Sequence, residues 1–499
     1  MPRSTPLRTF AALGLSVASF STLQSLIVPV LPAIQTELRT STAGVTWTMT
    51  AWLISAAVAT PLLGRVGDLV GRRRTFLLSI AAVALGSLVA AAAPTLGVLI
   101  VARVIQGLGG AMFPLAFGLL REAFPAHRVP SAIGGMSAIL AIGSGLGTVL
   151  AGPLDGVLGW RGLFLVPLVL TVAGGVLTAL LVPESTERAR GGINVPAAVL
   201  LSGWLVALLL PLSQGGTWGW GSPLVIGLLV LAVVLITAWV VVELRSGTPL
   251  VDMRIMRSPA IWPMNAAAVL IGAAMFSTFS FFPRFVQTPA STGWGLGASV
   301  AGSGLLMLPM LVTMGVAGFL SGPLGRRIGF RTQVTVASAV IALSTIALGL
   351  VHATAWQVMV EAAVFGLALG IVYAAITSVV VQAVEPTQTG VASGMNANLR
   401  TIGSSIGVTL MTAIVTSSAS HAGIPTESGY TTGFLTVGLI GAGAAVVSLA
   451  GGLVAARTPF RLGPATTGFV ENSPVETRAV ETTAVTPFAG EEVERLPAA

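Results

Sequence analysis

The chain has 499 residues, of which 54% are hydrophobic and only 8% charged, with a mean hydropathy of +0.92. A soluble domain of this size would have to cover its surface with leucine and alanine, so the composition excludes soluble proteins and leaves an integral membrane protein. The net charge of +8 contains no lysine, and most arginines sit in short segments between apolar runs, which argues against nucleic acid as a partner; cysteine is absent, which excludes disulfides, thiolate metal sites and a cysteine nucleophile.

Apolar runs near twenty residues suffice to cross a bilayer as helix. They fall at about 10–34, 45–64, 75–93, 97–119, 131–153, 162–182, 195–213, 223–243, 260–283, 298–321, 333–351, 356–379, 396–416 and 432–455, which is fourteen spans. Arg3 and Arg8 precede the first run as in a signal peptide, but the run continues to about Ile34, too long for an h-region, and reads as the first span. An even number puts both termini on one side. With the N-terminus inside, the inner loops hold most of the arginines, Arg72, Arg73, Arg74, Arg326 and Arg327 among them, and the outer loops only Arg39, Arg161 and Arg284. The positive-inside rule therefore places both termini in the cytoplasm of a cell-membrane protein. Residues 457–499 carry Pro, Thr, Gly and Glu without an apolar run and read as a disordered cytoplasmic tail.

An internal repeat sets the architecture. Gly64, Gly67 and Gly71 recur as Gly322, Gly325 and Gly329, with Asp68 meeting Arg326. Gly107-Leu108 recurs as Gly366-Leu367, and Ile142-Gly143-Ser144 with Gly147 as Ile402-Gly403-Ser404 with Gly407. Three collinear matches divide the chain into a six-span half at 1–190, two extra spans at 191–258 and a second six-span half at 259–456. Parallel halves of this kind bind substrate between them near the membrane midplane.

Between the second and third spans lies Gly64-Arg-Val-Gly-Asp68-Leu-Val-Gly71-Arg72-Arg73-Arg74, which reads as a tight polar turn. Its spacing resembles the signature loop between helices 2 and 3 of the major facilitator superfamily. The resemblance implies a cytoplasmic gating loop in which Gly64, Asp68, Gly71, Arg72 and Arg73 make charge and helix-terminus contacts that open and close during transport. Span 4 carries Arg103-Val-Ile-Gln106-Gly107-Leu-Gly109, similar to that family's fourth-helix motif, whose arginine lines the cavity and is implicated in proton coupling. An arginine at that depth is costly unless it faces protein or a wet cavity.

Span 5 carries Gly143, Gly147, Thr148, Gly152 and Pro153. Small residues four apart bring helices close, and Pro153 can bend the helix end. The stretch resembles the family's antiporter motif in either of two registers, one with Thr148 where proline and Ala151 where glycine is expected, the other with Gly152-Pro153 as the Gly-Pro pair and Val157 where glycine is expected. Asp155 and Gly159-Trp160-Arg161 look like the turn after helix 5 in fourteen-span drug:proton antiporters, and Trp218-Gly-Trp220 and the span opening at Ala392-Ser-Gly394 are similar to that subfamily. Read from the residues alone, the tryptophans are interface anchors and Asp155 pairs with Arg161. Arg400 is placed near the inner interface without a chemical role. Gln24 stands where the subfamily carries an aspartate in span 1.

Glu361 is the acid read clearly inside a span, and the repeat maps it onto Arg103, so the two are expected to face one another across the cleft as a candidate proton site. The family analogy makes spans 1, 4, 9 and 12 the cavity walls, with Gln24, Arg103, Asn265 and Glu361 as polar groups and Phe276, Phe281, Phe282 and several Met as adaptable apolar surface. The expectation is an all-α integral membrane protein of fourteen helices, two pseudo-symmetric six-helix halves plus two intervening helices. It would be a monomeric, proton-coupled efflux transporter of hydrophobic or amphipathic molecules, working by alternating access, with lipophilic substrate, protons and lipid bilayer as partners and no cofactor, metal or nucleic acid. The alternatives are an exporter of a lipid or specific metabolite, or a membrane enzyme. The enzyme would need clustered acids or a histidine beside a base, whereas His127, His352 and His421 all lie in predicted loops.

Overall fold

The computed structural model describes residues 6–185, 188–189, 192–418 and 425–457. Among them there is no strand, and the chain is a succession of long helices. These are α1 (Pro6–Glu37), α2 (Thr42–Val70), α3 (Arg72–Ala91), α4 (Leu96–Ala123, with a 3-10 segment at Leu108–Ala111), α5 (Val129–Gly162), α6 (Leu165–Leu181), α7 (Val195–Trp218), α8 (Pro223–Arg245), α9 (Trp262–Gln287), α10 (Val300–Ile328), α11 (Phe330–Leu350), α12 (Ala355–Gln382), α13 (Thr389–Ser417) and α14 (Glu427–Arg457). Thirteen stretches are long and apolar enough to cross a membrane. A fourteenth arises where Leu150–Gly162 and Leu165–Leu181 meet at a bend of 81°. The expected tail at 457–499 lies, beyond Arg457, outside the described residues, as do Arg190 and His421.

Local chemistry explains where the helices begin. Five of those starting at the end away from Gly71 carry a Ser or Thr cap: Ser41, Thr95, Ser222 and Ser299 each accept a first-turn N–H, and Thr354 forms a capping box with Gln357. At the Gly71 end α3, α5, α9, α11 and α13 have no side-chain cap of their own. Their free N–H groups need partners from elsewhere.

The supposed loop at 64–74 is a correction. Gly64 through Val70 continue α2, and the chain breaks only at Gly71 (φ 129°, ψ 129°), with Gly329 (φ 82°, ψ 144°) as its repeat mate. Only glycine tolerates these angles without strain, so one residue suffices for each reversal. A second correction concerns α5, which runs on through Pro153. Its kink falls at Gly159 (φ 65°, ψ 166°).

Two apolar cores form, one in each half. The first gathers Leu13, Phe20, Phe76, Leu115 and Ile133; the second gathers Phe282, Met310, Ile341, Phe365 and Phe434. A third core joins Trp204, Leu205 and Trp239 of the central pair α7–α8 to Ala57 of α2 and to Val391, Met395 and Ile402 of α13. The central helices thus cover one seam between the halves, the one where α2 meets α13.

Candidate functional site

At the end of the bundle where Gly71 and Gly329 lie, two helix crossings join α2 to α13 and α5 to α10. In the first, α2 lies on α13 at backbone distance. A Cβ on Gly64 would stand 2.8 Å from the Gly390 carbonyl oxygen, and one on Gly394 would stand 3.1 Å from that of Thr60. Asn398 donates to the Ala57 carbonyl at 2.6 Å. Asp68 is fully buried where α2 ends. Its Oδ1 accepts from Arg72 Nε and Nη2 at 2.9 and 2.7 Å, and its Oδ2 accepts the Val391 N–H at 3.3 Å. A carboxylate from one half therefore caps the uncapped N-terminus of α13 in the other, where the helix dipole favours negative charge. Arg72, also fully buried, donates onward to Glu122 and to the Pro386 carbonyl, just before α13. Arg121 adds donations from one nitrogen to the Val381 and Val384 carbonyls and to Thr389 Oγ1 at 2.7, 3.0 and 2.8 Å. The Arg73 N–H is accepted by Glu184 Oε1 at 3.1 Å, so Glu184 caps α3, and the Arg73 guanidinium reaches the Ala179 carbonyl.

The second crossing is the repeat mate of the first. A Cβ on Gly134 would stand 2.3 Å from the Gly318 carbonyl oxygen, and one on Gly322 would stand 2.5 Å from Ser131. Arg326, in the place of Asp68, is exposed and donates to the His127 carbonyl at 3.0 Å.

Beside these contacts lies a narrow, nearly closed cleft of ≈ 10 Å³, about the room of one water molecule. Phe113, Pro114 and Phe117 of α4 form one wall. Tyr373 and Thr377 of α12, with Ser393, Asn396 and Arg400 of α13, form the other. The Arg400 guanidinium lies 3.9 Å over the centre of the Tyr373 ring. Arg400 is eleven residues into α13, roughly 16 Å along the helix. α13 starts at Thr389, earlier than the apolar run suggests.

The other candidates are dispersed. Arg103 is fully buried inside the first half, its Nε donating to the Thr48 carbonyl at 3.2 Å and its Nη1 to Gln106 Oε1 at 2.8 Å, with Trp52 beneath it at 5.4 Å. Glu361 leaves its Oε2 buried without a hydrogen-bond partner. Twelve residues separate it from Tyr373, which puts it about 120° round α12 from the cleft wall. No ion pair joins Arg103 to Glu361 among the described residues. Asn265, three residues into α9, accepts from Asn396 at 2.9 Å, which places it behind the cleft wall and not on it. Gln24 is half-buried in α1. Phe281 and Phe282 are buried in the core of the second half, not free on a cavity surface, and Phe276 is half-buried.

Gly143 and Gly147 do serve close packing: a Cβ there would stand 2.8 Å from the Ala18 and 2.5 Å from the Thr22 carbonyl oxygens of α1. Gly152 and Pro153 are exposed and nothing approaches Gly152, so they take no part in that contact, and the Thr148 side chain is outside the described residues. Arg161 pairs with Glu37 and stacks on Trp160, whose Nε1 donates to Glu37 at 2.7 Å; Asp155 is not its partner. Trp218 lies against Trp47, with ring centres 6.2 Å apart. His127 lends only its carbonyl, to Arg326, while His352 Nε2 lies 3.1 Å from Glu427.

One buried acid escaped the sequence reading. Glu243, at the end of α8, accepts the Leu250 and Val251 N–H groups at 2.9 and 3.1 Å and Trp239 Nε1 at 3.1 Å. Its place at the limit of an apolar run reads as solvated; the returning segment 250–251 buries it.

The family model for the Major Facilitator Superfamily matches residues 13–408. The chain belongs to the major facilitator superfamily. It is 29% identical over 426 residues to the tetracenomycin C resistance and export protein of Streptomyces glaucescens, covering 83% of this chain and 77% of that one. It is 30% identical over 396 residues to a multidrug resistance protein B homolog of Mycobacterium tuberculosis, covering 77% and 71%. The crystal structure of the human organic anion transporter MFSD10 (TETRAN) superposes with a TM-score of 0.64 at 15% identity, covering 89% and 99%, and so shares the fold.

Proposed function

We propose that this superfamily member is a proton-coupled exporter of amphipathic small molecules in the cell membrane. The halves 1–190 and 259–456 alternate access to the cleft, and 191–258 braces the seam between α2 and α13. The names of the relatives support export, and the arginine distribution supports cytoplasmic termini. The observation that carries the reading is the Asp68–Val391 contact, a buried carboxylate of one half seated on a helix N-terminus of the other, between the cleft and the inner end. Such a contact holds by a few charge-assisted hydrogen bonds and can be broken and remade as two packed bodies rock.

Proton coupling is assigned to Glu361, whose buried oxygen without a partner suits protonation, with Arg103 as a buried fixed charge at similar depth. The test is a transport assay in vesicles loaded with a pH-sensitive dye, with a proton gradient and a panel of lipophilic drugs. Drug-triggered proton flux in the wild type, lost in Glu361→Gln, is the expected result. Flux that survives the substitution moves the proton site elsewhere, with Asp68 or Asp155 next. No flux with any drug, from protein shown to be folded, contradicts proton-coupled drug export.

A further inference from the structure

We infer that the cleft between α4, α12 and α13 is an anion site, and that the molecules it takes are aromatic acids: sulfonates, carboxylates or ionised phenols held by Arg400. That these molecules are then exported rests on the reading above; that they bind here does not.

The argument begins with charge. A guanidinium within a membrane-spanning helix is costly and persists where it faces protein or a wet cavity. Arg400 lines the cleft, and its contact is the face of the Tyr373 ring. That contact leaves the planar fork of N–H donors, which suits a carboxylate or sulfonate, without an acceptor. No lining residue of the cleft is acidic, and Arg400 makes no ion pair among the described residues. The nearby acids are engaged elsewhere: Asp68 and Glu122 hold Arg72, Glu184 caps α3, and Glu243 holds the amides of Leu250 and Val251. Glu361 faces another side of α12. Among the described residues the cleft therefore carries one net positive charge with no acid paired to it.

The two walls supply the rest of the specificity. The first half offers Phe113, Pro114 and Phe117, an apolar and aromatic surface. The second half offers the Arg400 guanidinium, with Ser393 and Asn396 beside it, which already donate to the Thr389 carbonyl and to Asn265. A molecule with an aromatic body and an acidic end would bridge these walls once they part to admit it, body toward α4 and charge toward α13. A cation of the same shape meets the guanidinium with like charge in a low-dielectric site. Arg103 differs because it is fully buried and donates from two of its nitrogens to Thr48 and Gln106 inside the first half, with Nη2 buried beside them.

The experiment uses the full chain in lipid nanodiscs and equilibrium dialysis against two radiolabelled probes of matched size, a naphthalene sulfonate and a naphthyl trimethylammonium, with empty nanodiscs subtracted. Wild type is expected to bind the sulfonate at least about 10-fold more tightly than the cation. Arg400→Gln should lose about 10- to 100-fold in sulfonate affinity while the cation is unaffected or gains. Arg400→Lys, which keeps the charge without the fork, should retain part of it and guards against a folding defect, as does an unchanged melting temperature. Sulfonate binding unaltered by Arg400→Gln, a wild-type preference for the cation, or binding of neither probe would each overturn the anion site. Sulfonate binding without flux in vesicles removes export and leaves the site standing; cation flux without sulfonate binding does the reverse.

Discussion

At the α5–α10 crossing Gly322 rests on Ser131 and Gly134 on Gly318; at the α2–α13 crossing Gly64 rests on Gly390 and Gly394 on Thr60. The repeat superposes these contacts, so the packing geometry is built twice. What holds each crossing is not repeated. Asp68 and Arg72 are buried and reach the far half, whereas Arg326 is exposed and reaches one carbonyl. Asn398 ties α13 to α2, and its counterpart at the other crossing is Ala138. The α7–α8 pair covers the first crossing with its own apolar core, while α10 beside the second presents Val312, Val316 and Leu320 to the surroundings. Small residues set how near two helices come, and buried charge sets how firmly the contact is kept.

The sharpest way to break this comparison is Asp68→Asn. It removes one of the two carboxylates that hold the buried Arg72 guanidinium and weakens the cap on α13, which should cost the closed contact about 3 kcal/mol. Hydrogen exchange at Gly390 and Val391 reads the loss, expected as more than 100-fold faster exchange if these amides open with the seal. The comparison is sharpened by Gly64→Ala and Gly322→Ala. Both place a methyl group against a facing helix, so both should cost about 1–3 kcal/mol, seen as similar drops in melting temperature. Gly152→Ala, with nothing near it, should show no drop.

Glu243→Gln tests the brace. It weakens the acceptor of two buried amides and should cost about 1–2 kcal/mol, with faster exchange confined to Leu250 and Val251. The smallest effect belongs to Arg326→Gln, below about 1 kcal/mol because the group is exposed and makes a single bond to a carbonyl; melting temperature and transport should both stay near wild type.

The spans, the repeat and the glycine contacts were legible because each is written in local hydropathy or spacing. The partners were not. Asp68 was singled out by its motif, but its acceptor role at Val391 lies 323 residues away. The start of α13 was not legible because its first turns, from Thr389 to Asn398, carry no apolar run. They are buried against protein and not against lipid. Repeat arithmetic gave Arg103 and Glu361 a common depth, but depth does not fix direction around a helix, and Arg103 turns into its own half. Asp155 beside Arg161 was a reasonable guess from sequence; Glu37, returning from the end of α1, takes the arginine instead.

The central claim is that the charged α2–α13 contact is the working seal of the inner end. The chain has no cysteine, so spin labels can be placed at will: one pair at Val70 and Glu385, and a second at Ile328 and Ala126, next to their repeat counterpart. Pulsed electron spin measurements in nanodiscs would follow both distances in wild type and in Asp68→Asn. The account predicts a single short distance for each pair in wild type, and in Asp68→Asn a new long-distance population across Val70–Glu385 that the wild type lacks. An unchanged Val70–Glu385 distance in Asp68→Asn would contradict it.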